Sequence, residues 1–259
     1  MTDVEVAVAN TPAWVDLSSS DAAASREFYG RLFGWDIHVT EDPQYGGYAI
    51  AQVDGKDAAG IGSTMAPGQP TAWMVYIGTP DAYGVAEKVG AAGGTVVAPP
   101  FDVGDQGRMA IFHDPSGAHF GVWQAREMNG FHTGAAGTFG WAELNSRGVD
   151  KAVPFYEQVF GWSSKRSPMG ENAPEYIEFQ IDGQSIAGGQ EMHQMVPAEV
   201  PSYWGVYFAV ADVDATFSAA TEAGARELVS PMDFPGGRFA IVQDPQGAAF
   251  GLLRMAQRS

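Results

Sequence analysis

The feature that most constrains this chain is an internal repeat. Trp14 to Trp35 reads WVDLSSSDAAASREFYGRLFGW, and Trp141 to Trp162 reads WAELNSRGVDKAVPFYEQVFGW, with no gap and an offset of 127. Trp73 to Tyr76 (WMVY) recurs as Trp204 to Tyr207 (WGVY). Gly107 to Trp123 (GRMAIFHDPSGAHFGVW) recurs as Gly237 to Leu253 (GRFAIVQDPQGAAFGLL). Repeats on this scale mean one structural unit used more than once. Each half divides again. An alternating strand at Trp14 to Leu17 leads into a helix over Ala22 to Phe33, with Asp21 as N-cap and Gly34 as left-handed C-cap. Strands follow at Tyr48 to Val53 and Ala58 to Ser63, joined by a tight turn at Asp54-Gly55. The next quarter has the same order: a strand at Met74 to Ile77, a helix at Ala82 to Ala91, and a strand at Thr95 to Ala98. A hairpin of Arg108 to Phe112 and His119 to Trp123 then turns at Asp114-Pro115-Ser116-Gly117. Pro154 is discordant, because proline suits only a helix's first turn. The pattern predicts an α+β chain of four βαβββ modules paired into two halves. The expected division is 1–127 and 138–259, with 128–137 as a linker rich in glycine and small residues.

Composition narrows the function classes. The 259 residues include no cysteine and five histidines, and 14 basic against 31 acidic residues leave a formal charge of −17. No disulfide framework, thiolate metal site or cysteine nucleophile is available. That charge argues against nucleic acid and anionic membrane surfaces as partners. Met1 to Asn10 carry no basic and apolar leader pattern, and no apolar run reaches the ~20 residues of a membrane span. The expected location is the cytoplasm. No Gly-rich phosphate loop, GxSxG elbow or Ser–His arrangement is present.

The FYxxxFGW blocks at Phe28 to Trp35 and Phe155 to Trp162 form one set of motifs. The AAGG and EAGA helix ends and the DPxG turns at Asp114 and Asp244 form the others. Together these resemble the vicinal oxygen chelate superfamily of glyoxalases, bleomycin-resistance proteins and extradiol dioxygenases. The closer resemblance is to two-domain actinobacterial proteins labelled as hydroxylases or glyoxalase-like proteins. The resemblance covers nearly the whole chain. It implies two vicinal-oxygen-chelate domains, each a curved mixed sheet forming a cup with a divalent metal. It also implies where the ligands would stand: at Trp14 and Trp141, Met74 and Gly205, Gly121 and Gly251, and near Gly62 and Gly189. None of these is a ligand residue for such a metal. His38, His113, His119, His132 and His193 are scattered, with no HExxH pattern. The expectation is therefore no metal and no cofactor, which removes Lewis-acid mechanisms.

Alternation along the strands places other side chains in the cups. Trp14 and Asp16 share a face, as do Trp141 and Glu143, Met74 and Tyr76, and His119 and Trp123; Tyr207 matches Tyr76. Glycine in place of ligands would leave room, and the aromatic rings offer stacking faces for a planar ligand. Ligand-binding candidates are thus Trp14, Met74, Tyr76, His119, Trp123, Trp141 and Tyr207. Trp14 and Trp141 could equally be core anchors. Asp16 and Glu143 are the catalytic candidates, since burial raises a carboxylate's pKa and suits it to proton transfer; they could instead be tied to backbone N–H groups or an arginine. The leading expectation is a metal-independent protein that binds a small planar aromatic or polyketide-like molecule for sequestration or resistance. One alternative is a natural-product tailoring enzyme (auxiliary hydroxylase, isomerase or cyclase). A weaker one is a metal-dependent glyoxalase or dioxygenase. By analogy with single-domain relatives that pair, the tandem chain is expected to be a monomer or a weak homodimer.

Overall fold

Each half folds into one eight-stranded mixed sheet carrying two helices. The computed structural model describes residues 5–6, 9–128, 130–168, 175–194 and 196–256. The first four and last three residues of the expected domains lie outside these. A short strand, β1 (Glu5–Val6), precedes the first half. That half runs β2 (Pro12–Ser19), α1 (Ala22–Phe33), β3 (Asp36–Val39), β4 (Ala49–Val53), β5 (Lys56–Ser63), β6 (Ala72–Gly78), α2 (Ala82–Ala91), β7 (Thr95–Val103), β8 (Gly107–His113) and β9 (His119–Ala125). After β10 (Gly130–Phe131) comes the second half: β11 (Phe139–Ser146), α3 (Val149–Phe160), β12 (Ser163–Pro168), β13 (Glu175–Ile181), β14 (Gln184–Glu191), β15 (Tyr203–Ala209), α4 (Val213–Glu222), β16 (Arg226–Phe234), β17 (Gly237–Gln243) and β18 (Ala249–Met255). The sheet orders are β3-β4-β5-β2-β6-β9-β8-β7 and β12-β13-β14-β11-β15-β18-β17-β16. Each βαβββ module thus supplies four neighbouring strands, and the modules join through the antiparallel pairs β2–β6 and β11–β15.

Local chemistry explains the elements the sequence predicts. Asp21 accepts the Ala24 N–H at the start of α1, and Gly34 ends it at φ 69°. Asp54 and Gly55 both take positive φ, as a two-residue hairpin turn requires. β7 continues past Pro99-Pro100, where the sequence pattern stops, because proline costs no ladder hydrogen bond on an edge strand. β3 and β12 are also edges, and their mostly exposed side chains carry little apolar alternation. α3 does hold Pro154 inside it, starting at Val149 with no capping side chain of its own. The Glu191 carboxylate supplies the cap instead, accepting the Gly148 and Val149 N–H groups.

The two halves are joined through their repeated motifs in a reciprocal way. Tyr29 of α1 donates to Asp244 at 2.9 Å, and Tyr156 of α3 donates to Asp114 at 3.0 Å. Each tyrosine also accepts an indole N–H, from Trp73 and Trp204 respectively. Each aspartate uses its other oxygen to hold its own DPxG turn through backbone N–H groups. Trp35 donates to the Gly137 carbonyl and Trp162 to the Asn10 carbonyl, both at 2.6 Å. Phe33 packs on Phe208, and Phe155 and Phe160 pack on Phe120. The FYxxxFGW blocks therefore lie in the contact between halves, beside packing such as Trp73 on Phe208. Tyr29→Phe and Tyr156→Phe are each expected to lower stability by about 1–3 kcal/mol, since each strands a buried aspartate and a buried indole donor. Urea unfolding of the purified variants checks this.

Candidate functional site

On β2, Val15 and Leu17 are buried on the face shared with the helices, so Trp14 and Asp16 take the opposite, cup-side face. The strand register then assembles the same group twice. Asp16 lies across from Met74 and Gly60, Trp14 from Tyr76, and Tyr76 from Gly121. In the second half Glu143 lies across from Gly205 and Gly188, Trp141 from Tyr207, and Tyr207 from Gly251.

These side chains form hydrogen-bonded networks centred on a single carboxylate. Trp14 donates to the Tyr48 hydroxyl at 3.0 Å, and Tyr48 donates to Asp16 at 3.4 Å. Tyr76 bonds Asp16 as well. Burial nevertheless dominates and pushes the Asp16 carboxyl up to about 7, the two tyrosine bonds opposing it. In the second half Trp141 donates to Tyr176 at 2.9 Å. Tyr207 and Gln190 donate to Glu143 at 3.1 and 3.0 Å, and Asn145 at 3.4 Å. Burial raises the Glu143 pKa too, against donors that include Tyr176.

Tyr48 and Tyr176 were not among the sequence candidates, although they recur at equivalent positions of the repeat, beside or at the start of β4 and β13. Their role follows from the glycines. A Cβ at Gly60 or Gly188 would overlap the Tyr48 or Tyr176 hydroxyl, and one at Gly121 or Gly251 would overlap the ring of Tyr76 or Tyr207. At Gly121 and Gly251, therefore, the glycines do not leave the empty space that the sequence suggested where ligands would stand; tyrosine rings lie directly on them. The reading of Gly62 and Gly189 as partners is also corrected. Ser18 faces Gly62 while Asn145 faces Gln190, so Gln190 is the cup-side equivalent and Gly189 points toward Phe179 in the core. A one-residue difference between halves reverses the face.

The other candidates are less centrally placed. Met74 is partly buried beside the core. Trp123 is buried, with its N–H donated to the Met128 carbonyl at 2.8 Å. His119 is exposed at the end of the β8–β9 hairpin, 2.5 Å from His113 between Nε2 atoms, and no described hydrogen bond joins it to Asp16. Partial desolvation of the ring, and then the neighbouring His113, lower its pKa.

The donor set does not fit the family's divalent metal. Tryptophan, methionine and glycine occupy the positions that the resemblance implies, with Gln190 the one amide among them, already bonded to Glu143 and Asn145. Among the described residues, no three His, Cys, Asp or Glu side chains gather as a metal site. Beside the second network lies a groove of about 830 Å³, whose lining includes Phe139, Trp141, Ile186, Leu253, Met255 and Thr133. Neither Asp16 nor Glu143 lines it. No helix among the described residues is long and apolar enough to cross a membrane.

Comparison with known proteins agrees with this geometry in part. The profile of the Glyoxalase/Bleomycin resistance protein/Dioxygenase superfamily matches residues 11–122 and 138–252. A Mycobacterium tuberculosis protein named "Putative glyoxylase CFP32" is 41% identical over 253 residues, covering 95% of both chains. The anthracycline biosynthesis protein DnrV of Streptomyces peucetius is 38% identical over 262 residues, covering 95% of this chain and 94% of its own. Among solved structures, the Mn(II)-bound glyoxalase from Novosphingobium aromaticivorans has the same fold. Its TM-score is 0.66 at 15% identity, over 94% of this chain and 81% of that one.

The Asp16 environment has a thermodynamic consequence. Its unfolded carboxyl titrates near the ordinary 3.8 and its folded one near 7. Between those pH values the folded state holds a proton that the unfolded state releases, so this group's contribution falls as pH rises and levels off above 7. The loss is on the order of 4 kcal/mol at most. Asp16→Asn is expected to gain thermal stability over the wild type progressively from pH 4 to 7, with the gain constant above that. Melting temperatures across the pH series measure it.

Proposed function

The chain belongs to the Glyoxalase/Bleomycin resistance protein/Dioxygenase superfamily, and from that premise we propose that it binds a small planar aromatic, polyketide-like molecule without a metal and so sequesters it. The observation that carries this reading is that tryptophan (Trp14, Trp141) and ring-covered glycine (Gly121 under Tyr76, Gly251 under Tyr207) stand where the metal ligands were expected, with the Trp141 ring on the wall of a groove of about 830 Å³. The tyrosine hydroxyls are turned onto the carboxylates, so the groove offers a ligand the Trp141 ring and apolar walls with a few polar side chains, which suit a fused aromatic with carbonyl or phenol edges. The relatives named for anthracycline biosynthesis point to the same class, since anthracyclines are planar polycyclic quinones.

Titration with an anthracycline aglycone, followed by tryptophan fluorescence, tests the reading. Saturable quenching is expected, unaffected by a chelator and weakened about tenfold or more in Trp141→Ala. Stoichiometric manganese, iron, nickel or zinc in the purified protein, with binding abolished by chelation, would overturn the metal-free reading.

A second reading is a tailoring enzyme in which Asp16 or Glu143 moves a proton. It is favoured by one observation, the Asp16 carboxyl poised to about 7. Under that reading, Asp16→Asn or Glu143→Gln lowers turnover of a converted substrate by about 100-fold or more while binding persists. Full turnover in both variants excludes it.

A further inference from the structure

The repeat makes the two halves comparable residue by residue, and at one place they differ. The second half's groove walls Trp141, Ile186, Leu253 and Met255 correspond to Trp14, Ala58, Trp123 and Ala125. In the first half this region is filled by the chain itself. The Phe131 ring meets Trp14 edge-on, with centroids 5.9 Å apart and planes at 62°. On either side, the Met128 carbonyl accepts the Trp123 N–H at 2.8 Å, and the His132 N–H donates to the Asp57 carbonyl at 2.6 Å. β10 is further held by pairing with β1. Phe131 and His132 are buried, and Trp14 is only 3% exposed, whereas Trp141 is partly open.

We infer that the second-half groove is the protein's single ligand site, and that Phe131 plugs its first-half counterpart as a built-in stand-in for the ligand's ring. The assignment rests on the aromatic-binding reading above. Phe131 demonstrates that the face beside the first-strand tryptophan accepts an aromatic ring edge-on. The groove holds more than one such ring. Its volume of about 830 Å³ is in the range of pockets that take a drug-sized molecule, and Leu253 occupies less of it than the tryptophan at the equivalent position would. Thr133, Gln184 and Arg254 line it with donors suited to quinone carbonyls and phenols. The ligand class is therefore a fused-ring quinone or polyphenol. Glu143 does not line the groove and is held by Tyr207 and Gln190 instead, so the site holds its ligand rather than presenting a base to it.

Equilibrium dialysis with an anthracycline aglycone reads the number and strength of sites. Wild type is expected to bind one equivalent. Leu253→Trp, which copies the first-half side chain into the groove, should weaken that binding about tenfold or more. Phe131→Ala should open a second site and raise the stoichiometry to two. Two sites in the wild type, a site that Leu253→Trp leaves intact, or a folded Phe131→Ala protein that stays at one would each overturn the assignment while leaving aromatic binding standing. If Phe131→Ala does not fold, Leu253→Trp decides alone. No binding by the wild type or either variant would overturn the aromatic-binding reading, and this assignment with it.

Discussion

The exchange of a tyrosine hydroxyl for a turn carboxylate across the two halves is the interaction on which the rest of the structure depends. Tyr29 reaches Asp244 and Tyr156 reaches Asp114, all four buried. A carboxylate taken out of water without donors costs several kcal/mol. Here each aspartate is satisfied on one side by its own turn and on the other by the partner half, and each tyrosine by an indole as well. Neither half completes this arrangement alone. The aromatic blocks that follow the tyrosines pack across the same boundary, so apolar burial and polar satisfaction select one docking geometry.

Joining the halves through this face leaves the opposite face of each sheet for other chemistry. In both cups a carboxylate stands among tyrosines, and the tyrosines lie on glycines. The pairing is mutual: a ring fits only because the cross-strand residue has no Cβ, and the glycine is covered only because the ring is there. In both copies the tyrosine hydroxyls turn inward onto the carboxylate. The two copies also differ in degree. Glu143 has Gln190 and Asn145 among its donors, whereas the Asp16 side chain is bonded by Tyr48 and Tyr76, and burial leaves Asp16 titrating near neutrality.

The halves differ most where the connecting segment passes. A stretch that reads as a small-residue linker contains Phe131 and His132, both buried, and it covers the first cup's tryptophan. The equivalent wall of the second half stays open as a groove. Duplication thus produced one frame and two outcomes, set by a few side chains: Phe131 present on one side, and Leu253 in place of Trp123 on the other.

Much of the frame was determined by the sequence. The boundaries and caps of α1 follow from Asp21 and Gly34, the hairpin turn from Asp54-Gly55, and the modular order from motifs used twice; these are decided by residues a few positions apart. The cup positions of Trp14, Asp16, Trp141 and Glu143 were legible too, because strand alternation has a fixed period. Edge strands β3 and β12 were not, since exposed side chains leave no apolar signature. Nor was the pairing of Gly62 with Gln190, where one extra residue between halves inverts the face. The tyrosine roofs, the reciprocal Tyr–Asp bonds, the Phe131 plug and the open groove were decided only by tertiary structure. Each joins side chains from different segments, and such proximity is set by sheet register and by how the two halves bury one another, quantities that no local pattern encodes.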